Sequence, residues 1–248
     1  MDDGTCARLG ETQFIVTTTT AAAGLVMQHM EFVAQVLRPD LDVRLISITE
    51  QWFQTAIAGP KSRELLNDVL DKPLVAEDWP FMSCGDVTVG GVPARLFRIS
   101  FSGDHAYELA VPSRYGESLF RQLVTKAEAM GGGAYGMEAL NVLRIEKGLL
   151  THAELDGRTT AYDLNLGGMM KRSKDFVGKA AAGREGLLED DRPRLVGIKP
   201  VVAMQKLTAG GFLINENAEP TRTAAQGTVS SVAFSPALGH FIGLALLK

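Results

Sequence analysis

Apolar positions along this chain switch repeatedly between two spacings, and each switch predicts an element. Gln13-Phe14-Ile15-Val16 reads as a short strand running into the threonines Thr17 to Thr20. Leu25, Val26, Met30, Val33 and Leu37 then recur near helical spacing, with Thr20 placed to cap the helix and Pro39 to end it. Val43 to Ile48 alternates as a strand does, and Trp52 to Ala58 predicts another. Gly59-Pro60 opens a short helix carrying Leu65, Leu66 and Val69, with Pro at a first-turn position. Strands are expected at Val87 to Val89, Ala94 to Phe101 and Tyr107 to Val111. Helices are expected at Glu117 to Met130 and Met137 to Lys147, divided by Gly131-Gly132-Gly133.

This irregular order of strands and helices predicts an α+β fold, because a parallel sheet would need a repeating strand-helix alternation. The charged, Pro-containing stretch Glu185 to Arg194 is the candidate linker, dividing residues 1–190 from residues 191–248. Past it, Leu195 to Ile198, Gly211 to Ile214, Thr228 to Phe234 and Phe241 to Leu247 read as short strands between Gly, Pro and Asn. Such a series predicts a small β-barrel. The chain starts almost directly in structure and stops on apolar Leu244-Ala245-Leu246-Leu247, so it is expected to be a piece of something longer.

Composition narrows the classes. The chain has 248 residues, 46% hydrophobic and 22% charged, which allows one large core or two modest ones. A net charge of -4 without a Lys/Arg block argues against a nucleic-acid surface. No apolar run reaches the roughly 20 residues that span a bilayer, and no signal peptide opens the chain, so neither membrane nor secretion is expected. Cys6 and Cys84 form no disulfide framework and read as buried small hydrophobes, which suits a reducing cytoplasm.

Gly131-Gly132-Gly133-Ala134-Tyr135-Gly136 formally satisfies G-x-G-x-x-G, but a helix precedes it, so an inter-helix turn accounts for the glycines. His29, His105, His152 and His240 are scattered, so no metal site is expected. Two carboxylates stand out: Asp3, before the first structured segment, and Glu108, whose strand neighbours Tyr107 and Leu109 point to the other face. Pattern alone also fits Glu108 on a solvated strand face.

A set of segments adds to this reading. In order they are Asp2-Asp3-Gly4-Thr5, Thr17 to Thr20, Thr49-Glu50-Gln51-Trp52, Ala58-Gly59-Pro60-Lys61-Ser62-Arg63 and Arg98 to Gly103. Tyr107-Glu108, Tyr135 to Ala139, Leu143 to Gly148, Lys174 to Lys179 and Ser235 to Gly239 follow. Together, across nearly the whole chain, they resemble the glycine cleavage T-protein superfamily and, within it, the sarcosine oxidase alpha-subunit branch. The resemblance implies a folate-binding α+β region followed by a small β-barrel, with tetrahydrofolate as the cofactor. It implies that Glu108 binds the amino-pyrimidine edge of the pterin, since a carboxylate accepts two hydrogen bonds from an N–H/NH2 pair. It places Asp3 near the reacting nitrogens, where a carboxylate assists proton transfer or stabilises an iminium. Thr19 stands where T-proteins carry Asn, and Phe101 where they carry Tyr. Leu140 replaces an Arg used near the folate tail.

The implied activity is capture, as 5,10-methylenetetrahydrofolate, of the one-carbon unit released when sarcosine is oxidised. Flavin and NAD are then expected only in other parts of the parent enzyme, and its other subunits or domains are the expected partners. Two rival functions are a glycine-cleavage aminomethyltransferase working with a lipoyl carrier, and an assembly domain without catalysis. Thr19 and Thr49-Glu50-Gln51-Trp52 tilt against the first. The segment Thr151 to Gly157 departs from the oxidase pattern.

Overall fold

The computed structural model describes residues 3–171 and 173–248. Met1, Asp2 (the first member of the Asp2-Asp3 pair) and Arg172 lie outside the described residues. Chain contacts divide the protein into two compact units, one ending at Gly136 and the other spanning Met137–Lys248.

In the first unit, β1 (Gly4–Arg8) pairs antiparallel with β2 (Phe14–Thr18). A 3₁₀ turn at Thr20–Ala22 leads into α1 (Ala23–Phe32), which continues as a π-helical turn at Val33–Leu37. The Arg38 N–H reaches back five residues to the Val33 carbonyl, 2.8 Å away, and Pro39 follows. β3 (Trp52–Ala58), α2 (Ser62–Asn67), β4 (Cys84–Val89), β5 (Val92–Phe97), β6 (Ala106–Pro112) and α3 (Gly116–Ala129) complete the unit. The four strands form one antiparallel sheet in the order β3-β6-β5-β4.

Strand alternation splits this sheet into two unlike faces. Ile57, Ala94, Leu96, Tyr107, Leu109 and Val111 turn to one face and form a core with α2 and α3, through Leu65, Leu66, Leu119 and Leu123. Burying each large apolar side chain contributes about 1.5–3 kcal/mol, so this face fixes the sheet. Gly116 lets α3 approach β3 closely, because a Cβ there would stand 2.5 Å from Phe53 Cγ. The opposite face, free of helices from this core, carries Trp52, Gln54, Ala56, Arg95, Phe97 and Glu108.

The second unit begins with α4 (Met137–Lys147), which packs on β9 (Ala225–Ser235) and β10 (His240–Leu247). With α5 (Lys179–Ala182), β7 (Arg194–Ile198) and β8 (Phe212–Ile214), these complete the regular elements, and the strands form an antiparallel sheet in the order β7-β10-β9-β8. No pairing joins β7 to β8 among the described residues, so what is seen is an open sheet. The boundary between the compact units differs from the break expected near residue 190. The reason is that side chains well before that point are tied to the sheet: Ile145 packs with Ile242 and Leu244, and Glu154 takes hydrogen bonds from Ser230 and Ser231.

The α+β class holds, with four local corrections. Val43 to Ile48 form no strand, because alternation there meets no partner strand; Arg44 to Ile48 instead line the cleft with the open sheet face. β1 was not expected, since Thr5 and Ala7 give only a weak apolar signal. Thr20 opens the 3₁₀ turn instead of capping α1, and Thr19, at the cap position, makes no side-chain cap bond. Cys6 is exposed and Cys84 half-buried, because β1 belongs to a hairpin and β4 is an edge strand.

Candidate functional site

The open sheet face becomes a wall because β2, α1 and residues 44–49 stand over it. Between them lies a cleft of about 690 Å³. Its far side brings Ile15, Val26, Met27 and Met30 together with the hydroxyl-bearing Thr17, Thr18 and Thr20. This mixture of apolar lining and a few polar groups suits an organic ligand.

Register explains which side chains meet on the wall. Ala56 and Phe97 are the cross-strand partners of Glu108, and Gln54 and Arg95 are those of Ala110. One row is therefore Ala56–Glu108–Phe97 and the next is Gln54–Ala110–Arg95. The two alanines leave open space above the sheet, while Phe97 is buried as its floor. Gln54 crosses diagonally, and its Nε2 donates to Glu108 Oε2. The Arg95 guanidinium lies over the Trp52 ring, 4.0 Å from its centroid, and makes an edge of the wall.

Burial between Ala56 and Phe97 pushes the Glu108 carboxyl above its ordinary pKa, and the Gln54 hydrogen bond only partly opposes it. Tyr135, on the loop after α3, is close enough to sense the Glu108 charge. Burial and that charge both hold its phenol above the usual range.

Of the residues singled out from sequence, Glu108 lines the cleft. Thr19 is exposed and sits between two lining residues, Thr18 and Thr20, with its carbonyl accepting from the Ala22 N–H at 2.9 Å. Asp3 is exposed just before β1, and Phe101 is exposed in the loop after β5; neither is a lining residue. Sequence reading missed Gln54 and Arg95. Each is polar on the alternate face of a strand whose other face is apolar, which is the signal that finds them. Among the described residues, no group of three or more His, Cys, Asp or Glu could hold a metal ion. No helix among them is long and apolar enough to cross a membrane.

Below Glu108 on the same strand, a second polar cluster anchors the strand start. The Ser62 hydroxyl lies 2.9 Å from His105 Nδ1 and 3.0 Å from the His105 carbonyl, while Arg63 reaches His105 Nε2 at 3.3 Å. Arg98 donates to the Ala106 carbonyl at 2.7 Å and stacks on Tyr107. Burial first, then Arg98 and Arg63, hold His105 below its ordinary pKa. With Arg63 donating to Nε2, His105 is a neutral tautomer whose Nδ1–H donates to Ser62. Ser62 is therefore a buried strap between the start of β6 and α2, and it does not line the cleft.

These features meet a known family. Residues 1–174 match the model of the GCVT N-terminal domain, and the chain belongs to that family. Within it, the chain is 48% identical over its whole length to the sarcosine oxidase subunit alpha of Rhizobium meliloti (strain 1021), covering 25% of that protein. It is 39% identical to the subunit of the same name from Corynebacterium sp. (strain P-1), covering 26% of it. The chain thus spans about a quarter of the length of these curated relatives. An aminomethyltransferase of Thermotoga sp. (strain RQ2) is 26% identical over 84% of the chain and 55% of its own length. The fold matches that of the glycine cleavage system aminomethyltransferase T from Bartonella henselae. The TM-score is 0.82 at 21% identity, over all of this chain and 64% of that one.

Proposed function

We propose that this chain is the tetrahydrofolate-binding part of a sarcosine oxidase-like enzyme, where the one-carbon unit from oxidised sarcosine is captured as 5,10-methylenetetrahydrofolate. The observation that carries the reading is Glu108, a half-buried carboxylate on the wall of a cleft, with one amide partner and acceptor capacity left over. A pterin presents an N–H beside an NH2, and an ionised carboxylate accepts both. Bound tetrahydrofolate supplies two nitrogens that take up a carbon at the oxidation level of formaldehyde, with loss of water. The chain's residues hold the ring, exclude solvent and move protons. Glu108 fixes the ring edge, and the apolar side chains of α1 close over it. Asp3 handles the proton at the reacting nitrogens, and Thr19 and Phe101 contribute a hydroxyl and a ring face; these three assignments rest on the family resemblance.

In this reading flavin and NAD act in other parts of the larger enzyme, whose other subunits or domains are the partners. The sheet of β7 to β10 is the wall of the family's small barrel. The test is calorimetry of folinic acid with the full chain and with Glu108→Gln. Micromolar or tighter binding that Glu108→Gln weakens supports the proposal; binding that the substitution leaves unchanged removes Glu108 from the site.

A second reading, an assembly module without catalysis, has one observation in its favour. Leu25, Phe32, Val36 and Leu37 expose an apolar surface along α1 and its π turn. A folded chain that binds no folate selects this reading.

A further inference from the structure

We propose that Gln54 reads position 4 of the pterin ring, so that the Gln54–Glu108 pair selects a 2-amino-4-oxo ring over a 2,4-diamino one. The inference rests on the folate reading above and goes beyond it to a specificity-determining residue.

Gln54 is exposed on β3, and its amide nitrogen carries two protons. One goes to Glu108 Oε2, and no protein group among the described residues accepts the other. The bond also fixes which way the amide points, because the reverse orientation would set its carbonyl oxygen against the carboxylate. Ala56 and Ala110 flank the pair with methyl groups only, so the space in front of it belongs to the cleft.

The paired side chains therefore present, in order, a donor from Gln54 and two acceptor oxygens from Glu108. The edge of a 2-amino-4-oxopyrimidine presents the complement: the 4-oxo oxygen as acceptor, then N3–H and the 2-amino group as donors. A 4-amino ring reverses two of these positions. Its 4-amino protons face the Gln54 proton, and its unprotonated N3 faces a carboxylate oxygen. Once the ring covers the pair, a donor left facing a donor lowers affinity by roughly five- to a hundredfold. Hydrogen-bonding sites reject the wrong isostere far more strongly than apolar ones do.

The probes are folic acid and 4-amino-4-deoxyfolic acid, which differ only at position 4, titrated calorimetrically into the full chain. The wild type is expected to prefer folic acid by about tenfold or more. Gln54→Met keeps the side-chain length and removes both amide protons, so the preference should fall several-fold, down to the part that N3 against Glu108 retains. If Gln54 only held Glu108 in place, both ligands would weaken together and the ratio would survive; that result overturns the proposal. Gln54 lies on the exposed wall, so matching thermal melts of the two proteins will show that the fold is intact. Glu108→Gln separates the two levels. If it leaves folic acid affinity unchanged, or if the wild type binds neither probe, the folate reading itself fails and the Gln54 assignment falls with it. If Glu108→Gln weakens binding while Gln54→Met keeps the preference, only the Gln54 assignment fails.

Discussion

Glu108 in the first compact unit and Glu154 in the second are both withdrawn from water, and their surroundings push them in opposite directions. Glu154 is 0% exposed. Burial works against its charge, yet its pKa lies below the ordinary value because donors surround it: the Ser230 and Ser231 hydroxyls, the Thr151 N–H and the Arg144 guanidinium. Glu108 has Gln54 as its hydrogen-bond partner, and its pKa lies above the ordinary value. A carboxylate whose lone pairs are all used is part of the scaffold. In the folate reading, one left short of donors beside a cleft is kept for a ligand, since a bound donor would offset the cost of its withdrawal from water. The comparison assigns a different kind of failure to each residue.

The largest effect is expected at Glu154. Arg144→Met leaves its carboxylate buried without its cation, which costs about 3–5 kcal/mol by thermal or denaturant unfolding. The double variant Arg144→Met/Glu154→Leu should recover much of that loss, since an apolar pair avoids the desolvation of two ions. No recovery would show that the surrounding hydroxyls, and not the ion pair, hold the site. The sign with pH follows from the lowered folded-state pKa. The Glu154 contribution is present above its unfolded pKa and is lost as pH falls through the folded value.

Next in size is Asp3. In the larger enzyme, Asp3→Asn should lower the rate of methylenetetrahydrofolate formation about a hundredfold, the scale of one general acid-base group. Folate affinity should hardly change, because the proposed role puts the interaction at the reacting nitrogens in the transition state. A rate equal to that of the wild type makes Asp3 a surface residue before β1. Glu108→Gln divides the other way. It should weaken folinic acid binding by about ten- to a hundredfold, the scale of one charge-assisted hydrogen-bond pair.

Much of the scaffold of this comparison was legible in the sequence. Trp52 to Ala58 and Tyr107 to Val111 were legible as strands, and alternation set Tyr107 and Leu109 on the face opposite Glu108, which is the buried face. α3 and α4 were legible from helical spacing in the same way. What could not be read is pairing. The alternation of Val43 to Ile48 looks like that of a strand, but a strand needs a neighbour, and only the folded chain shows that none is there. Gln54 and Glu108 lie 54 positions apart and meet through register. Glu154 was noticed only as part of a segment departing from a pattern, and Ser230 and Ser231 reach it across 76 and 77 positions. Local spacing carries the faces of elements, while the sites are built from contacts between elements.

The smallest expected effect is also the sharpest test of the contrast, because it asks about stability at a residue assigned to binding. The folded-state pKa of Glu108 is raised, so the folded chain holds that proton more tightly than the unfolded chain does. Its favourable contribution is therefore complete below the unfolded pKa and is lost as pH rises through the folded value. At neutral pH the ionised side chain works against folding. Gln resembles the protonated carboxyl in shape and carries no charge, so without ligand Glu108→Gln should melt slightly higher than the wild type at pH 7. The gap should close as the pH falls below the unfolded carboxyl's pKa, where the wild-type side chain is protonated in both states. Folinic acid should reverse the order at pH 7, since it binds and stabilises the wild type more than the variant. A variant that melts lower than the ligand-free wild type at pH 7 would mean that Glu108 belongs to the scaffold, as Glu154 does, and the distinction drawn between the two carboxylates would fail.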